Sequence, residues 1–250
     1  MKQWISSLAA GLAMCGVALT AQAVEITVMS GGAVEPGLRA AAAAFEKQTG
    51  HKVAITFNTT PQMRKRVAKG DTFDVVIAPP AAVKSFREAG KVEAGGVNLG
   101  KVGSGVAVRP GAPVPAVASA EDIKKTVLDA ESVVFNRAST GIYFENLLKK
   151  MGVWEQVEPK TTRYATGAEV MKHVLKGKGR EVGFGPITEI LLEKSHGLVF
   201  VGPLPAEVQN YTSYIAVPMS AGQQKGLAQE LAAFLGGPVG KPLFVAAGIE

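Results

Sequence analysis

The chain is short of thiols, imidazoles and aromatic rings: one cysteine and three histidines in 250 residues, with aromatics at 6%. Each shortage removes a class of function. Thiolate zinc sites and cysteine nucleophiles need side chains that are not there, because the lone Cys15 lies in an N-terminal segment expected to be cut away. His51, His173 and His196 are scattered, and none follows the end of an expected strand, so no metal site or metal cofactor is expected. Few aromatics leave little to stack on single-stranded nucleic acid, and no nucleic-acid partner is expected. Gly-x-Ser-x-Gly, Gly-Lys-Ser/Thr and His-Glu-x-x-His are absent, which removes the common hydrolase, phosphate-loop and zincin signatures. Gly177-Lys178-Gly179 follows a helix rather than a strand and reads as a plain turn.

Charge is also sparse, at 19% against 47% hydrophobic residues, as expected of a chain with a large buried core. Residues 1–23 read as a signal peptide: Lys2 opens it, an uncharged, mostly apolar run from Ile5 to Thr20 follows, and Ala21-Gln22-Ala23 is a small-x-small cleavage site. The mature protein is expected to start at Val24, in the periplasm, as a monomer without disulfides. Lipidation at Cys15 is disfavoured by the bulky Met14 before it. Loss of Lys2 lowers the net charge from +6 to +5, a balance that draws anionic small ligands by long-range attraction.

Strands and helices alternate along the rest. Strands are expected at Glu25–Ser30, Lys52–Phe57 and Asp74–Ala78, with helices between them that begin near Pro36 and Pro61, and another over 82–89. The pattern restarts at Gly105–Arg109 and continues through Ser132–Phe135, a helix over 141–151, further alternation to Val201, a strand over 211–217 and two closing helices. This predicts an α/β fold of two lobes, each a mostly parallel sheet flanked by helices, with a cleft between them. The first lobe is expected to take residues 24–104 plus 216–250, and the second 105–215.

In open parallel sheets, ligands sit beyond the carboxyl ends of the strands, where helix N-termini offer unpaired amides. Four turns of small residues are expected there: Ser30-Gly31-Gly32, Asn58-Thr59-Thr60, Ala138-Ser139-Thr140-Gly141 and Ala165-Thr166-Gly167. Together they can present amides and hydroxyls to one oxyanion; taken singly, each also reads as an ordinary helix cap. Arg64, after the second turn, and Arg137, before the third, would add two-pronged pairing to carboxylates if they faced the cleft. Glu145 and Glu189 are the titratable groups closest to qualifying for acid–base chemistry, and both read as helix residues, so no enzyme activity is expected.

The run SGGAVEPGLRAAAAAFEKQTGHKVAITFN, followed by TTPQMRKRVAKGDTFDVVIA, resembles the first lobe of the molybdate-type solute-binding proteins of ABC importers. GVAVRPGAP, SVVFNRASTGIYFENLLKKMGVWEQV and YTSYIAVP resemble that family's crossing strand, second-lobe strand–loop–helix and return strand, and KPLFVAAGIE its final helix. The resemblance implies a two-lobed periplasmic binding protein that closes on a small anion and delivers it to the membrane subunits of an importer. It places ligand contacts on Ser30 or the Gly31 and Gly32 amides, on Thr59 or Thr60, on Thr140 with its neighbours Ser139 and Gly141, and on Gly167 or Ala168. Pro186 stands where the family has a tyrosine, which removes one hydroxyl and, with the two arginines, turns the expectation from molybdate or tungstate toward a di- or tricarboxylate. An enzyme or sensor module on the same fold is the other reading.

Overall fold

The strand Glu25–Ser30 (β1) alternates sides at every residue, yet Ile26, Val28 and Met29 are all fully buried, which requires cover on both faces of its sheet. The computed structural model, which describes residues 23–250, supplies that cover. A 3-10 turn at Gly32–Val34 leads into α1 (Glu35–Thr49), followed by β2 (Lys52–Phe57), α2 (Thr60–Lys69), β3 (Val75–Ala78) and α3 (Pro80–Glu88). β1 pairs in parallel with β2 on one side and β3 on the other. Prolines stand in the first turns of α1, α2 and α3, where a missing N–H costs nothing, and Gly50 and Gly70 end α1 and α2 in left-handed conformation.

A long strand, β4 (Val97–Val108), then crosses between two sheets. The chain continues as α4 (Ala120–Asp129), β5 (Ser132–Asn136), α5 (Ser139–Lys150), α6 (Trp154–Val157), β6 (Thr161–Tyr164), α7 (Gly167–Lys176), β7 (Glu181–Pro186), α8 (Ile187–Leu192) and β8 (Val199–Pro203). It returns through β9 (Tyr211–Pro218) to α9 (Lys225–Gly236) and α10 (Gly240–Ala246). β5 is parallel to β6 and β7, which makes the second parallel core. β4 is antiparallel to β9 up to Gly103, then antiparallel to β7 and β8 from Ser104 on, so it belongs to both sheets in succession.

Each sheet is sandwiched. In the first, Val28, Leu38, Phe45, Leu231 and Phe244 pack on one face, and Met29, Met63, Val76 and Phe86 on the other. In the second, Phe135, Phe144, Leu148 and Phe184 pack on one face, and Val134, Val170, Met171 and Ile190 on the other. Each of these four clusters draws on one sheet and its helices, so the molecule is two-lobed, as expected. β4 starts eight residues earlier than the sequence pattern indicated. Gly100 and Gly103 make its first half read as a connector, but Gly100 has φ 123° and sits where an added Cβ would lie 2.6 Å from the Glu250 carbonyl oxygen. The C-terminus docks there, with the Lys101 N–H donating to Glu250 O at 2.7 Å.

The expected leader lies outside the described residues except for its last position, and with it Cys15. No helix among the described residues is long and apolar enough to cross a membrane.

Candidate functional site

Both sets of parallel strands point their carboxyl ends into the gap between the lobes, and the turns that follow enclose a cavity of about 40 Å³ there. From the first lobe it is lined by Gly31, Gly32 and Ala33 after β1, by Asn58, Thr59 and Thr60 after β2, and by Tyr214 from β9. The second lobe contributes Asn136, Ala138, Ser139 and Thr140 after β5, Gly167 after β6, and Pro186 and Glu189 after β7. A larger cavity of about 380 Å³, between Val108, Asp122, Lys125 and Arg180, lies at the opposite end of β7, away from the four turns that line the cleft.

The lobes touch across the cleft. Ser139 Oγ donates to Thr60 Oγ1 at 3.5 Å, joining the starts of α5 and α2, and Thr188 Oγ1 donates to Ala33 O at 2.6 Å, joining α8 to the turn after β1. This is a closed arrangement around a small space.

Most of the lining groups are neutral donors, and the local hydrogen bonds decide which remain available. Thr59 is committed to its own cap: its N–H and its Oγ1 both donate to Gln62 Oε1, at 2.7 and 3.1 Å. Asn136 Oδ1 accepts the Ala138 and Gly141 amides at 3.0 Å each, so those two N–H groups are occupied and the Asn136 amide nitrogen is the group left to donate. The Gly141 site has no room for a Cβ, which would strike the Asn136 backbone. Arg163 backs this corner by donating from Nη2 to Asn136 O at 3.1 Å while its Nη1 pairs with Glu145. Glu145 is held below the usual carboxylate range, chiefly by the hydrogen bond from Lys149 and also by the charges of Arg163 and Lys149.

Several expected site residues therefore fall outside the lining. Ser30 is fully buried beneath the cavity and donates to Gly31 O at 3.1 Å. Thr166 is closed in a capping box with Glu169, leaving Gly167 as the lining residue of that turn. Arg64 is exposed and reaches Ser85 Oγ and Ala81 O, at 3.3 and 3.4 Å, on the α3 side. Arg137 is exposed, and its backbone N–H donates to Tyr164 O at 2.8 Å. The structure thus brings together Gly31, Gly32, Thr59, Thr60, Ser139, Thr140, Gly167 and Pro186, and leaves both guanidinium groups outside.

Two groups at the cleft were not among the ligand contacts expected from the sequence. Tyr214 supplies a phenol from β9, so the hydroxyl absent at Pro186 has a counterpart reaching in from the other lobe. Burial, and then the nearby Glu189 charge, push the phenol's pKa upward and keep it a proton donor at neutral pH. Its ring would lie 2.7 Å from a Cβ at Gly31, so only glycine lets it reach this position.

Glu189, read from sequence as an ordinary helix residue, is the second. It is 8% exposed, in the first turn of α8, with its carboxyl wedged between Gly32 of one lobe and Gly167 of the other. A Cβ at Gly32 would be 2.8 Å from Oε1, and one at Gly167 would overlap Oε2. Oε2 has no hydrogen-bond partner among the described residues. Desolvation first, and the charge of Glu35 second, push its pKa from 4.5 to about 7. The signal was a single acidic residue in the apolar segment ITEILL, placed just after the end of β7. Among the described residues no three His, Cys, Asp or Glu side chains cluster as metal ligands would.

Comparison with known proteins agrees with this architecture. A family model described as bacterial extracellular solute-binding protein matches residues 26–250. An aconitate isomerase from Pseudomonas sp is 30% identical over 224 residues, covering 87% of this chain and 84% of the relative. The molybdate-binding protein ModA of Azotobacter vinelandii is 27% identical over 246 residues, 95% of this chain and 93% of the relative. The solved periplasmic molybdate-binding protein of Azotobacter vinelandii superposes with a TM-score of 0.75 at 16% identity, over 90% of this chain and 98% of that one, which shows a shared fold.

Proposed function

The chain belongs to the bacterial extracellular solute-binding protein family, and we propose that it captures a small anion in the closed cleft for delivery to the membrane subunits of an ABC importer. The observation that carries this is the convergence of neutral donors from both lobes on one small space: the helix starts at Gly32, Thr60, Ser139 to Thr140 and Gly167, the Asn136 amide, and the Tyr214 hydroxyl. A buried oxyanion loses its water and needs several such bonds to offset the loss. With both arginines outside, the cage carries no fixed positive charge of its own, and about 40 Å³ accommodates roughly three water-sized guests. Both features favour a compact oxyanion over a tricarboxylate. The lobes pivot in this reading where β4 changes sheets at Gly103 to Ser104 and where the chain returns at Gln209 to Asn210. Gln209 ties the two crossings together, accepting from the Ser104 N–H at 2.8 Å and donating to Ser104 O at 3.1 Å. Export through the N-terminal leader would place this activity in the periplasm.

A second reading rests on Glu189. A carboxyl poised near neutrality in a cleft of anion-binding donors is equipped to take a proton from carbon and return it elsewhere, and the relative named aconitate isomerase supports acid–base isomerisation of a small unsaturated carboxylate. The two readings separate in one experiment. Thermal melts of the mature protein with molybdate, tungstate, sulfate, phosphate, citrate, succinate and each aconitate isomer identify the ligand, since a ligand at 100 times its Kd stabilises by about 2.7 kcal/mol. The aconitate samples are then followed by proton NMR for interconversion. Stabilisation by an oxyanion without interconversion supports capture, and interconversion abolished by Glu189→Gln supports the isomerase. No stabilisation by any anion refutes both.

A further inference from the structure

We infer that Glu189 is the specificity-determining contact of the cleft, because its wedged carboxyl and the nearest oxygen of a bound anion must share one proton. The inference rests on the anion-capture reading and adds to it a rule for which protonation state of ligand and protein is accepted.

Its basis is geometric. Glu189 lines the cavity and is buried; its Oε2 is closed in against Gly167 without a partner, which leaves Oε1, beside Gly32, as the oxygen that can meet whatever occupies the space. The groups facing it from each packed element are few. The segment after β1 contributes the Gly32 turn, α1 the negative Glu35, whose carboxylate is paired with Arg39 at 2.7 Å, α7 its start at Gly167, and β9 the Tyr214 phenol. On its own helix, Thr188 is spent on Ala33 O. Among the described residues, no basic side chain lines the cavity beside it. An ionised Glu189 would be an acceptor aimed at another acceptor, and two negative charges would share a cavity with no cation to separate them. One proton between them turns that repulsion into a charge-assisted hydrogen bond.

The proton has two sources, and they give different pH behaviour. A fully ionised oxyanion such as sulfate or molybdate brings none, so Glu189 must hold it and, above neutrality, take it from solvent on binding. A ligand with its own O–H, such as hydrogenphosphate, brings the proton and leaves Glu189 as acceptor. The cleft therefore loses ionised oxyanions as pH rises while keeping hydroxylated ones.

Calorimetry in two buffers of different ionisation enthalpy counts protons directly. Sulfate and molybdate are titrated into wild-type protein and Glu189→Gln at about pH 6 and about pH 8.5, with phosphate as the hydroxylated probe. Wild type is expected to take up about one proton per oxyanion at the higher pH, with affinity falling about tenfold per pH unit above 7. Glu189→Gln, whose amide donates without titrating, is expected to bind the ionised probes with neither proton uptake nor pH dependence. Wild-type binding of sulfate or molybdate at about pH 8.5 without proton uptake, or the same pH slope in Glu189→Gln, overturns the inference while leaving anion capture standing. Failure of both proteins to bind any of the three probes at either pH overturns the capture reading and this inference with it.

Discussion

Glu189 also leaves a signature in the ligand-free protein, because burying a carboxyl without a partner makes folding depend on pH. The group has its ordinary pKa of 4.5 when unfolded and about 7 when folded. The folded state holds the proton more tightly, so Glu189 imposes no penalty below about pH 4.5, and stability is lost progressively as pH rises through about 7. At about 1.4 kcal/mol per pH unit, the gap between 4.5 and about 7 comes to about 3 kcal/mol for a molecule that stays closed, and less to the extent that the lobes part and let water reach the carboxyl. In a chain of this size each kcal/mol moves the melting temperature by about 2 to 4 °C, so the full effect is about 6 to 12 °C. Melts of wild type and Glu189→Gln between about pH 4.5 and about pH 8.5, in buffers free of oxyanions and carboxylates, read it as a difference. The two curves should run together at about pH 4.5, separate between there and about pH 7, and keep a constant gap above that, with the variant the more stable. Parallel curves across the whole range would mean that the carboxyl is solvated or paired in solution, and would refute the reasoning.

Two further outcomes follow from particular contacts. Gly167→Val places a side chain onto Glu189 Oε2 within the same lobe and displaces that carboxyl toward Gly32 and the cavity; anion affinity should fall at least tenfold, about 1.4 kcal/mol, in calorimetry, with little change in stability. Asp74→Ala should do the reverse, costing about 3 kcal/mol in urea unfolding with anion affinity retained. The Asp74 carboxylate accepts the Thr27 N–H, Thr27 Oγ1 and the Gln224 N–H at 2.8 Å each, beside the first residue of β3 and away from the cleft. Burial alone would raise its pKa, but these hydrogen bonds outweigh burial and hold it low, so its contribution is lost as pH falls through that lowered value. Asp74→Ala should accordingly lack the acid-side slope.

The alternation of apolar strands with proline-started helices was legible because both signals are local. EITVMS, KVAITF and DVVIA needed no partner to be recognised, and Pro36 and Pro61 marked helix starts within a residue or two. The four turns were legible for the same reason. What escaped depends on contacts between distant segments. Nothing around Asn136 says that its side-chain oxygen will take up the Gly141 amide and so withdraw it from a ligand. Tyr214 sits in a strand that read as a crossing, and only its antiparallel place between β3 and β4 carries its ring to Gly31. Arg64 follows a ligand-side turn, but it lies on α2, which turns by about 100° per residue, so a few residues suffice to swing its side chain away from the cleft; Arg137 stands in the bend between β5 and α5, where its N–H is tied to Tyr164 O and its side chain is exposed.

The same wedge that gives the cleft its chemistry also limits how firmly it closes empty. Across the gap run two neutral side-chain hydrogen bonds: Thr188 to Ala33, worth about 1 kcal/mol, and Ser139 to Thr60, which at 3.5 Å is long and worth less. Against them stands the burial of Glu189 between Gly32 and Gly167, which costs nothing while the carboxyl is protonated and about 3 kcal/mol once it must stay neutral well above its ordinary pKa. The penalty grows between pH 4.5 and about 7, so the balance turns over inside that window: at its acid end the cross-lobe bonds suffice to hold the lobes together, and at its upper end the empty cleft favours opening, where Glu189 can ionise in water. A ligand shifts that equilibrium only by what it gains in the closed form alone, and the donors that supply this gain come from both lobes. An anion accepting from Gly32 and Thr60 on one side and Thr140 and Gly167 on the other meets all of them only after closure. Its binding and the protonation of Glu189 therefore favour the same closed state.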